Sequence, residues 1–371
     1  MRDIRRYASL WMSTLLLLLI ACSGDGDAGS QEQPVLTIYV YAPEHPLLIR
    51  AADISASAEE SAIHSLQIWV FEAGTDHLVG YLAPSNLPTE EGVVYRMKVS
   101  KHFADAVTRP NVDVFVVANT ESVGLSLSET TTHTALEEAV IGNAYFPPSK
   151  EVPGTGLPMS GVLRNQHVVG DNPILRLADM AKVQLTRAVS KVRFAFSQAG
   201  GDVLSIQKIQ IDGNMIPEEE YLFLGSDGRN YHVGSSYVTD PIDLITTTTA
   251  TPTPIYPVNV CDNPAVYNYT SQGAQEYETL IDQGVAADDL TQSGPYYFRE
   301  TDKKISGVIT YTAGTAEERN VPFSTTVTGS FSRNHSWIVY AYYEGLSGMQ
   351  IVTVDVTPWE ETSDSHSVFN W

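Results

Sequence analysis

Apolar and polar residues alternate in short segments along the chain, and this period of two predicts β-strands. The first such segment, residues 36–41, puts Leu36, Ile38 and Val40 on one face and threonine and tyrosine side chains on the other. We therefore predict a half-buried strand here. Further strands are predicted at residues 63–71, 111–119, 182–196, 205–211, 221–224, 294–300, 305–311, 321–327, 336–343 and 350–357.

The last predicted strand resembles the first one. Val352, Val354 and Val356 supply a single apolar face, and Pro358 then ends the strand, which is typical of the edge of a sheet. After a polar stretch, Phe369 and Trp371 share a face close to the C-terminus. The chain thus begins and ends with strands of similar pattern.

One segment has the spacing of a helix instead. Thr134 and Glu137 fit a capping box at its start, and Gly142 can end it. A short helix is therefore expected within a chain whose other segments are strands.

Length and composition suggest two domains, because 371 residues with 43% hydrophobic content can form more than one packed core. The chain passes from the first domain to the second around residues 173–182. The pattern therefore predicts an all-β fold of two tandem β-sandwiches, over residues 51–181 and 182–349. Residues 350–371 form a separate C-terminal segment.

The charge of the chain is strongly acidic, with a net charge of -22 and a sequence pI near 4.6. Nucleic acids and anionic membrane surfaces would both be repelled by such a chain, so neither is expected as a partner. A high net charge also favours solubility, which is the simpler interpretation.

The N-terminus has the features of an export signal, with a basic start and an apolar run at residues 15–20 that is too short to span a membrane. Residues 19–22, Leu-Ile-Ala-Cys, resemble a bacterial lipobox, in which a peptidase cuts before the cysteine and the thiol carries diacylglycerol. We predict a signal peptide over residues 1–21 and a lipid anchor on Cys22. A plain secretory signal is the alternative.

The chain has two cysteines, Cys22 and Cys261. Two cysteines cannot form a framework of several disulfides, so a disulfide-stabilised fold is excluded.

Arg50 lies in a connection after the first strand that we expect to be exposed, and it is followed by Ala51. Exposed connections of this kind are where proteases cut, and a trypsin-like enzyme would cut after Arg50. An ordinary surface arginine is the alternative interpretation.

Catalytic motifs are missing from the sequence, which has no HExxH, GxSxG or P-loop, and its histidines have no metal-ligand spacing. Ser160 is better explained as a turn serine, and the acidic runs 137–138 and 218–220 as solvated faces. We therefore expect no enzyme, metal or cofactor.

The alternative function is a monomeric surface lipoprotein that binds glycans. The tyrosines at 296–297 and 342–343 could stack on sugar rings in such a protein, although packing within the sheets explains them better.

Several segments together resemble the Bacteroidetes fimbrillins, the lipoprotein-precursor type V pilins. The resemblance rests on the lipobox, the early strand with its arginine, and the segments 63–71, 112–119, 159–161, 185–189, 191–194 and 354–359, in this order. It covers nearly the whole chain in layout. Two transthyretin-like β-sandwiches are the fold that it implies.

The resemblance also implies how the protein assembles. A precursor anchored in the outer membrane through Cys22 is cut between Arg50 and Ala51, so residues 22–50 are lost as a propeptide. The groove that Leu36, Ile38 and Val40 leave is then filled by residues 350–371 of another subunit, and the protein becomes part of a surface fimbrium that supports adhesion. Its implied partners are other copies of itself, other fimbrial subunits, the lipoprotein export machinery and a processing protease.

The donor residues in this scheme are Val352, Val354, Val356, Phe369 and Trp371. The role of the chain as a stalk subunit is favoured because it has both a removable first strand and a donor-like last strand.

Overall fold

The computed structural model describes residues 33–43, 58–89, 92–142, 152–198, 204–223, 236–246, 253–255, 291–324, 332–343 and 348–358. These residues are mostly in β-strands, with short helices α1 (Ala58–Ser61), α2 (Lys101–Ala104) and α3 (His133–Glu137). The all-β prediction is therefore confirmed. None of the helices within these ranges is long and apolar enough to cross a membrane.

Two groups of strands follow one another along the chain. The first group is β1 (Val35–Tyr41), β2 (Leu66–Glu72), β3 (Leu78–Leu82), β4 (Val93–Lys98), β5 (Val112–Ala118), β6 (Val140–Gly142), β7 (Met159–Gln166), β8 (Val168–Val169), β9 (Ile174–Leu177), β10 (Lys182–Gln184) and β11 (Thr186–Arg187). The second is β12 (Ser190–Gln198), β13 (Leu204–Ile211), β14 (Glu219–Tyr221), β15 (Ile242–Thr246), β16 (Thr253–Ile255), β17 (Thr291–Phe298), β18 (Ser306–Ala313), β19 (Arg319–Ser324), β20 (His335–Tyr343) and β21 (Met349–Pro358).

The first sandwich packs one sheet of order β10-β1-β9-β8, with β4 also paired to β1, against a second sheet of order β11-β7-β5-β2-β3. Strand β5 lies in the middle of its sheet, as its pattern predicts. The core between the sheets is formed by alternate residues of both, such as Ile38 from one and Ile68 and Val114 from the other. This is the layered packing that alternating strands require.

The second sandwich packs a sheet of order β17-β12-β20-β21 against one of order β15-β13-β18-β19, to which β16 adds by pairing with β13. Its core contains Phe194, Trp337 and Val339 from the first sheet and Ile209 and Ile309 from the second. Strand β21 lies at the edge of its sheet and pairs with β20 alone among the described strands.

A third apolar cluster connects the two sandwiches. It includes Trp69 and Phe115 from β2 and β5 together with Phe223 and Tyr297 from the second half of the chain. A two-stranded sheet of β6 and β14 also crosses between the two halves.

The structure changes two local predictions. Strands β10 and β11 pair with β1 and β7 of the first sandwich, so the boundary between the sandwiches follows Arg187 rather than residue 181. The helix around residue 134 begins after Thr132, whose hydroxyl accepts a hydrogen bond from Ala135 N, and not at Thr134. The helix ends at Glu137, before the predicted stop at Gly142. Residues Val140–Gly142 form strand β6 instead, because they pair with β14.

Candidate functional site

Strand β1 is an inner strand of its sheet. It pairs antiparallel with β4 from Val35 to Val40. On its other edge it pairs in parallel, with β9 along its first half and with β10 along its second half. Two further backbone hydrogen bonds fix its ends, from Val35 N to Pro173 O at 2.8 Å and from Leu185 N to Tyr41 O at 3.0 Å. Both edges of β1 are therefore occupied within one chain.

The inward side chains of β1 are completely buried. Leu36, Ile38 and Val40 each have 0% of their surface exposed and belong to the core of the first sandwich. Burying such a side chain stabilises a fold by roughly 1.5–3 kcal/mol. Together the three contribute about 5–9 kcal/mol, which is comparable with the whole stability of a typical domain.

The predicted processing residues lie outside the described residues. This is so for Cys22 and for Arg50 and Ala51, which belong to the connection between β1 and α1. Phe369 and Trp371, at the end of the predicted donor segment, lie outside them too.

Strand β21 is regular except for one bulge. Thr353 pairs with Tyr340, and Ile351 pairs with the following Ala341, so Val352 is the extra residue on the bulged strand. Ile351 packs against the second core. The register therefore puts Ile351, and not Val352, in phase with Val354. The strict alternation predicted over Val352, Val354 and Val356 is therefore interrupted at Val352 in the backbone register.

A buried ion pair holds α1 to the second sandwich. The carboxylate of Glu60, 1% exposed, lies 3.0 Å from Nζ of Lys191, which is 0% exposed. Tyr297 Oη donates to the same carboxylate at 2.8 Å. Arg187 donates from Nε to the carbonyl of Glu60 at 3.0 Å and from its terminal nitrogen to Ser61 Oγ at 2.8 Å. This network could not be predicted from the sequence, because α1 and the cations that bind it are more than a hundred residues apart.

A second ionic network lies near β14 and corrects one expectation. Glu218 and Glu219 are exposed, but Glu220 is 0% exposed. Its carboxylate lies 3.5 Å from Arg333 and accepts a hydrogen bond from Glu300 N at 2.8 Å. The acidic run is therefore not a solvated face throughout. Burial raises the pKa of Glu220 to about 7, against the opposing attraction of Arg333.

The raised pKa of Glu220 predicts a pH-dependent stability. The native protein holds this proton up to about pH 7, whereas the unfolded chain releases it around pH 4.5, so this group lowers stability as pH rises between these values. The effect is roughly 3 kcal/mol at most. Glu220→Gln should remove this part of the slope in urea unfolding measured from pH 4.5 to 7. The exposed neighbour offers a control, since Glu219→Gln should keep the wild-type slope. Equal slopes in all three proteins would contradict the assignment.

Side chains weighed for chemistry have structural roles. Ser160 lies in β7 rather than in a turn, and its hydroxyl donates to Leu222 O at 2.6 Å. Glu137 is also not solvated, because it is 9% exposed and pairs with Arg164 at 2.6 Å. Among the described residues, no cluster of histidine, cysteine and acidic side chains could hold a metal ion.

The tyrosines considered for sugar stacking are buried where the structure describes them. Tyr296, Tyr297 and Tyr343 are 1%, 2% and 3% exposed, respectively. They pack in the sheets and in the contact between the sandwiches. None of these three rings is available to a glycan in this fold.

Comparison with known proteins agrees with this architecture. The family described as Major fimbrial subunit protein (FimA) matches residues 36–185, which begin within β1 and continue just past β10. Residues 36–185 are similar to that family, and the resemblance to the fimbrillins is confirmed. The family consists of structural subunits of cell-surface fimbriae. No curated protein sequence matches the chain significantly.

Solved structures match the chain at low identity. A candidate cell adhesion protein from Parabacteroides distasonis is 14% identical with a TM-score of 0.54, and the match covers 88% of this chain and 97% of that one. The tip fimbrial protein Mfa3 from Porphyromonas gingivalis, in a C-terminally truncated form, is 15% identical with a TM-score of 0.49, and the match covers 88% of this chain and all of that one. The first of these likenesses establishes a common fold.

Proposed function

We propose that this protein is a structural subunit of a cell-surface fimbria and that it polymerises by exchanging β1 for a strand of another copy. The observation that carries the proposal is the position of β1. It is an inner strand with three fully buried side chains, and it is joined to the rest of the chain through the connection that contains Arg50.

Cleavage after Arg50 would detach β1 from the chain that follows it. Loss of the strand would then open a groove between β4 on one side and β9 and β10 on the other. The groove would expose the core around Leu36, Ile38 and Val40 and a row of unpaired backbone groups on each side. A cut subunit would therefore bind a replacement strand strongly, with backbone hydrogen bonds giving affinity and side-chain pockets giving specificity.

Strand β21 is suited to be the donor. Within the described part of the chain it pairs with β20 alone, so it can leave its sheet without breaking an inner ladder. It belongs to the second sandwich, whereas the groove would lie in the first. Donor and acceptor surfaces at different places on one molecule make a heterologous contact, which propagates as a fibre.

Delivery to the surface belongs to the same proposal. The lipobox supports export as a precursor that Cys22 anchors in the outer membrane, and the ion pair of Glu60 supports retention of everything from α1 onward after a cut at Arg50. The proposed partners are further copies of the subunit, other fimbrial subunits, the lipoprotein export machinery and a processing protease.

Processing at Arg50 gives the test. Trypsin treatment of the purified precursor should create a new N-terminus at Ala51 and ladders of oligomers on an unboiled gel. Arg50→Gln should stay monomeric under the same treatment, because trypsin does not cut after glutamine. Arg50→Lys is the matched control, since it keeps a trypsin site and should form the same ladders as wild type. Monomers after complete cleavage at Arg50 would refute the polymer proposal.

A further inference from the structure

The outer face of the β1 sheet is basic in a strongly acidic protein. Its outward positions carry four exposed cations and, in β1, β4, β8, β9 and β10, no acidic residue, whereas the whole chain has a net charge of -22. The four are Arg96 and Lys98 from β4, Arg176 from β9 and Lys182 from β10. We refer to these residues as the basic face.

Thr37 is at the centre of the basic face. It pairs with Arg96 across one edge of β1 and with Arg176 across the other. The three residues line a shallow depression together with Tyr39, Val94 and Ile174. Neither arginine lies within 4.0 Å of a carboxylate in the described part of the chain. Two unpaired cations therefore flank a neutral residue.

The outward positions Val35 and Tyr39 of β1 have fewer cations beside them than Thr37 has. Val35 pairs with Lys98 and the apolar Ile174. Tyr39 pairs with the apolar Val94 and with Lys182. Each of these positions has one cation beside it, so only the Thr37 position lies between two.

The C-terminal segment has the opposite charge. Residues 350–371 contain four acidic residues, Asp355, Glu360, Glu361 and Asp364, and no lysine or arginine. Strand β1 itself has no charged residue. Asp355 lies between Val354 and Val356, so a regular strand that turns both valines to a core places it on the outer face.

We propose that the basic face recognises the acidic C-terminal strand of a second copy, and that Asp355 occupies the place of Thr37 between Arg96 and Arg176. This inference rests on the proposed strand exchange. It places Val354 and Val356 over the pockets of Leu36 and Ile38, in an order set by the direction of the incoming strand. The flanking arginines are the same for either direction.

The two arginines select the register. A slip of one residue turns the valines outward and is excluded by burial. A slip of two residues keeps the valines inward but moves Asp355 beside a single cation. Because β1 is uncharged, the basic face also favours the incoming strand over the strand that it replaces.

Strand uptake by a cut subunit tests the inference. The acceptor is the chain without residues 350–371, cut at Arg50, and the probe is a fluorescent peptide of residues 350–371. An exposed ion pair changes an equilibrium by up to about fivefold, so Arg96→Glu with Arg176→Glu should weaken uptake roughly tenfold or more at low salt. The loss should shrink in high salt, where such pairs are screened. Arg96→Gln with Arg176→Gln gives the milder version if the first variant is unstable.

Exchanging the charges of Asp355 and the two arginines distinguishes a direct contact between them from a general effect of charge on peptide uptake. An Asp355→Lys peptide should bind poorly to the wild-type acceptor and recover on the Arg96→Glu, Arg176→Glu acceptor. The matched control is Lys304→Glu with Arg319→Glu, the same change of charge on exposed residues of the second sandwich, which should leave uptake within about twofold. Recovery with an unaffected control supports the register.

The possible failures are distinguishable. A wild-type acceptor that takes up no wild-type peptide would refute strand exchange itself. Normal uptake without coupling between residue 355 and the two arginines would refute only the inference. If the arginine variants lose binding to heparin or to anionic vesicles but keep normal uptake, the basic face serves an anionic surface and the inference is wrong.

Discussion

Removal of residues 350–371 is expected to leave a folded subunit that forms no polymers. Strand β21 is bonded to β20 alone among the described strands, and the core of the second sandwich is built largely from the other strands. The truncated chain should therefore keep its far-UV circular dichroism and should still be cut at Arg50. It keeps the groove but has no strand to donate, so an unboiled gel should show monomers where the full chain gives ladders.

Mixing provides the control for this truncation. A truncated subunit can still accept a strand, so adding it to full-length chains before cleavage should shorten the ladders in proportion to its share. Simple damage to the fold would instead leave the ladders of the full-length chains unchanged. If the truncated chain polymerises as well as the full chain, residues 350–371 are not the donor.

Lys191→Met is expected to destabilise the protein by about 3–5 kcal/mol. The substitution removes the ammonium group that lies 3.0 Å from the carboxylate of Glu60, which is buried at 1% exposure. Tyr297 and Arg187 still donate to this residue, but a hydrogen bond from tyrosine does not replace a neutralising charge. Urea unfolding of the uncut chain at neutral pH measures the loss.

Two further variants control for position and for charge. Glu59→Gln changes the exposed neighbour of Glu60 and should alter stability by less than about 0.5 kcal/mol. Glu60→Gln combined with Lys191→Met removes both charges and should recover much of the stability lost by the single change. Equal stability of Lys191→Met and wild type would mean that the ion pair contributes nothing.

The ion pair has a consequence for assembly. Glu60 lies ten residues after the proposed cut at Arg50. Its partner Arg187 is in β11 of the first sandwich, and its partner Lys191 is in β12 of the second sandwich. After cleavage, the chain from α1 onward would remain attached through these contacts. Release would therefore be confined to the part that contains β1.

Much of the fold could be predicted from alternation alone. Strands such as β1, β5 and β18 have side chains that alternate between a core and another environment, so their period of two is visible in the sequence. The edge position of β21 followed from Pro358, since proline cannot donate to a further ladder. The sequence was therefore sufficient to predict features that depend on residues close together along the chain, such as the strands themselves.

Features that depend on distant residues could not be predicted. The burial of Glu60 and Glu220 depends on cations that lie far along the chain, and an acidic residue carries no local mark of such a partner. Strands β10 and β11 belong to the first sandwich because of pairing with β1 and β7, which a pattern of hydrophobicity does not encode. The bulge at Val352 is likewise visible only in the pairing of β21 with β20, since the sequence of β21 alternates regularly.

The candidate site was predicted in part. The buried face of β1 was visible in the alternation of Leu36, Ile38 and Val40. Its inner position between β4, β9 and β10 was not, because pairing order is a property of the whole sheet. The basic face also becomes visible only when those three strands are placed beside β1, since its residues are scattered from Arg96 to Lys182.

The N-terminus of subunits recovered from assembled fimbriae tests the central claim most directly. If β1 is exchanged for a strand of another copy, sequencing should find Ala51 at the N-terminus, and mass spectrometry should find no peptide from Val35–Tyr41 beside abundant peptides from residues 350–371. Fimbriae whose subunits retain Val35–Tyr41 in equal amount with the rest of the chain would contradict it.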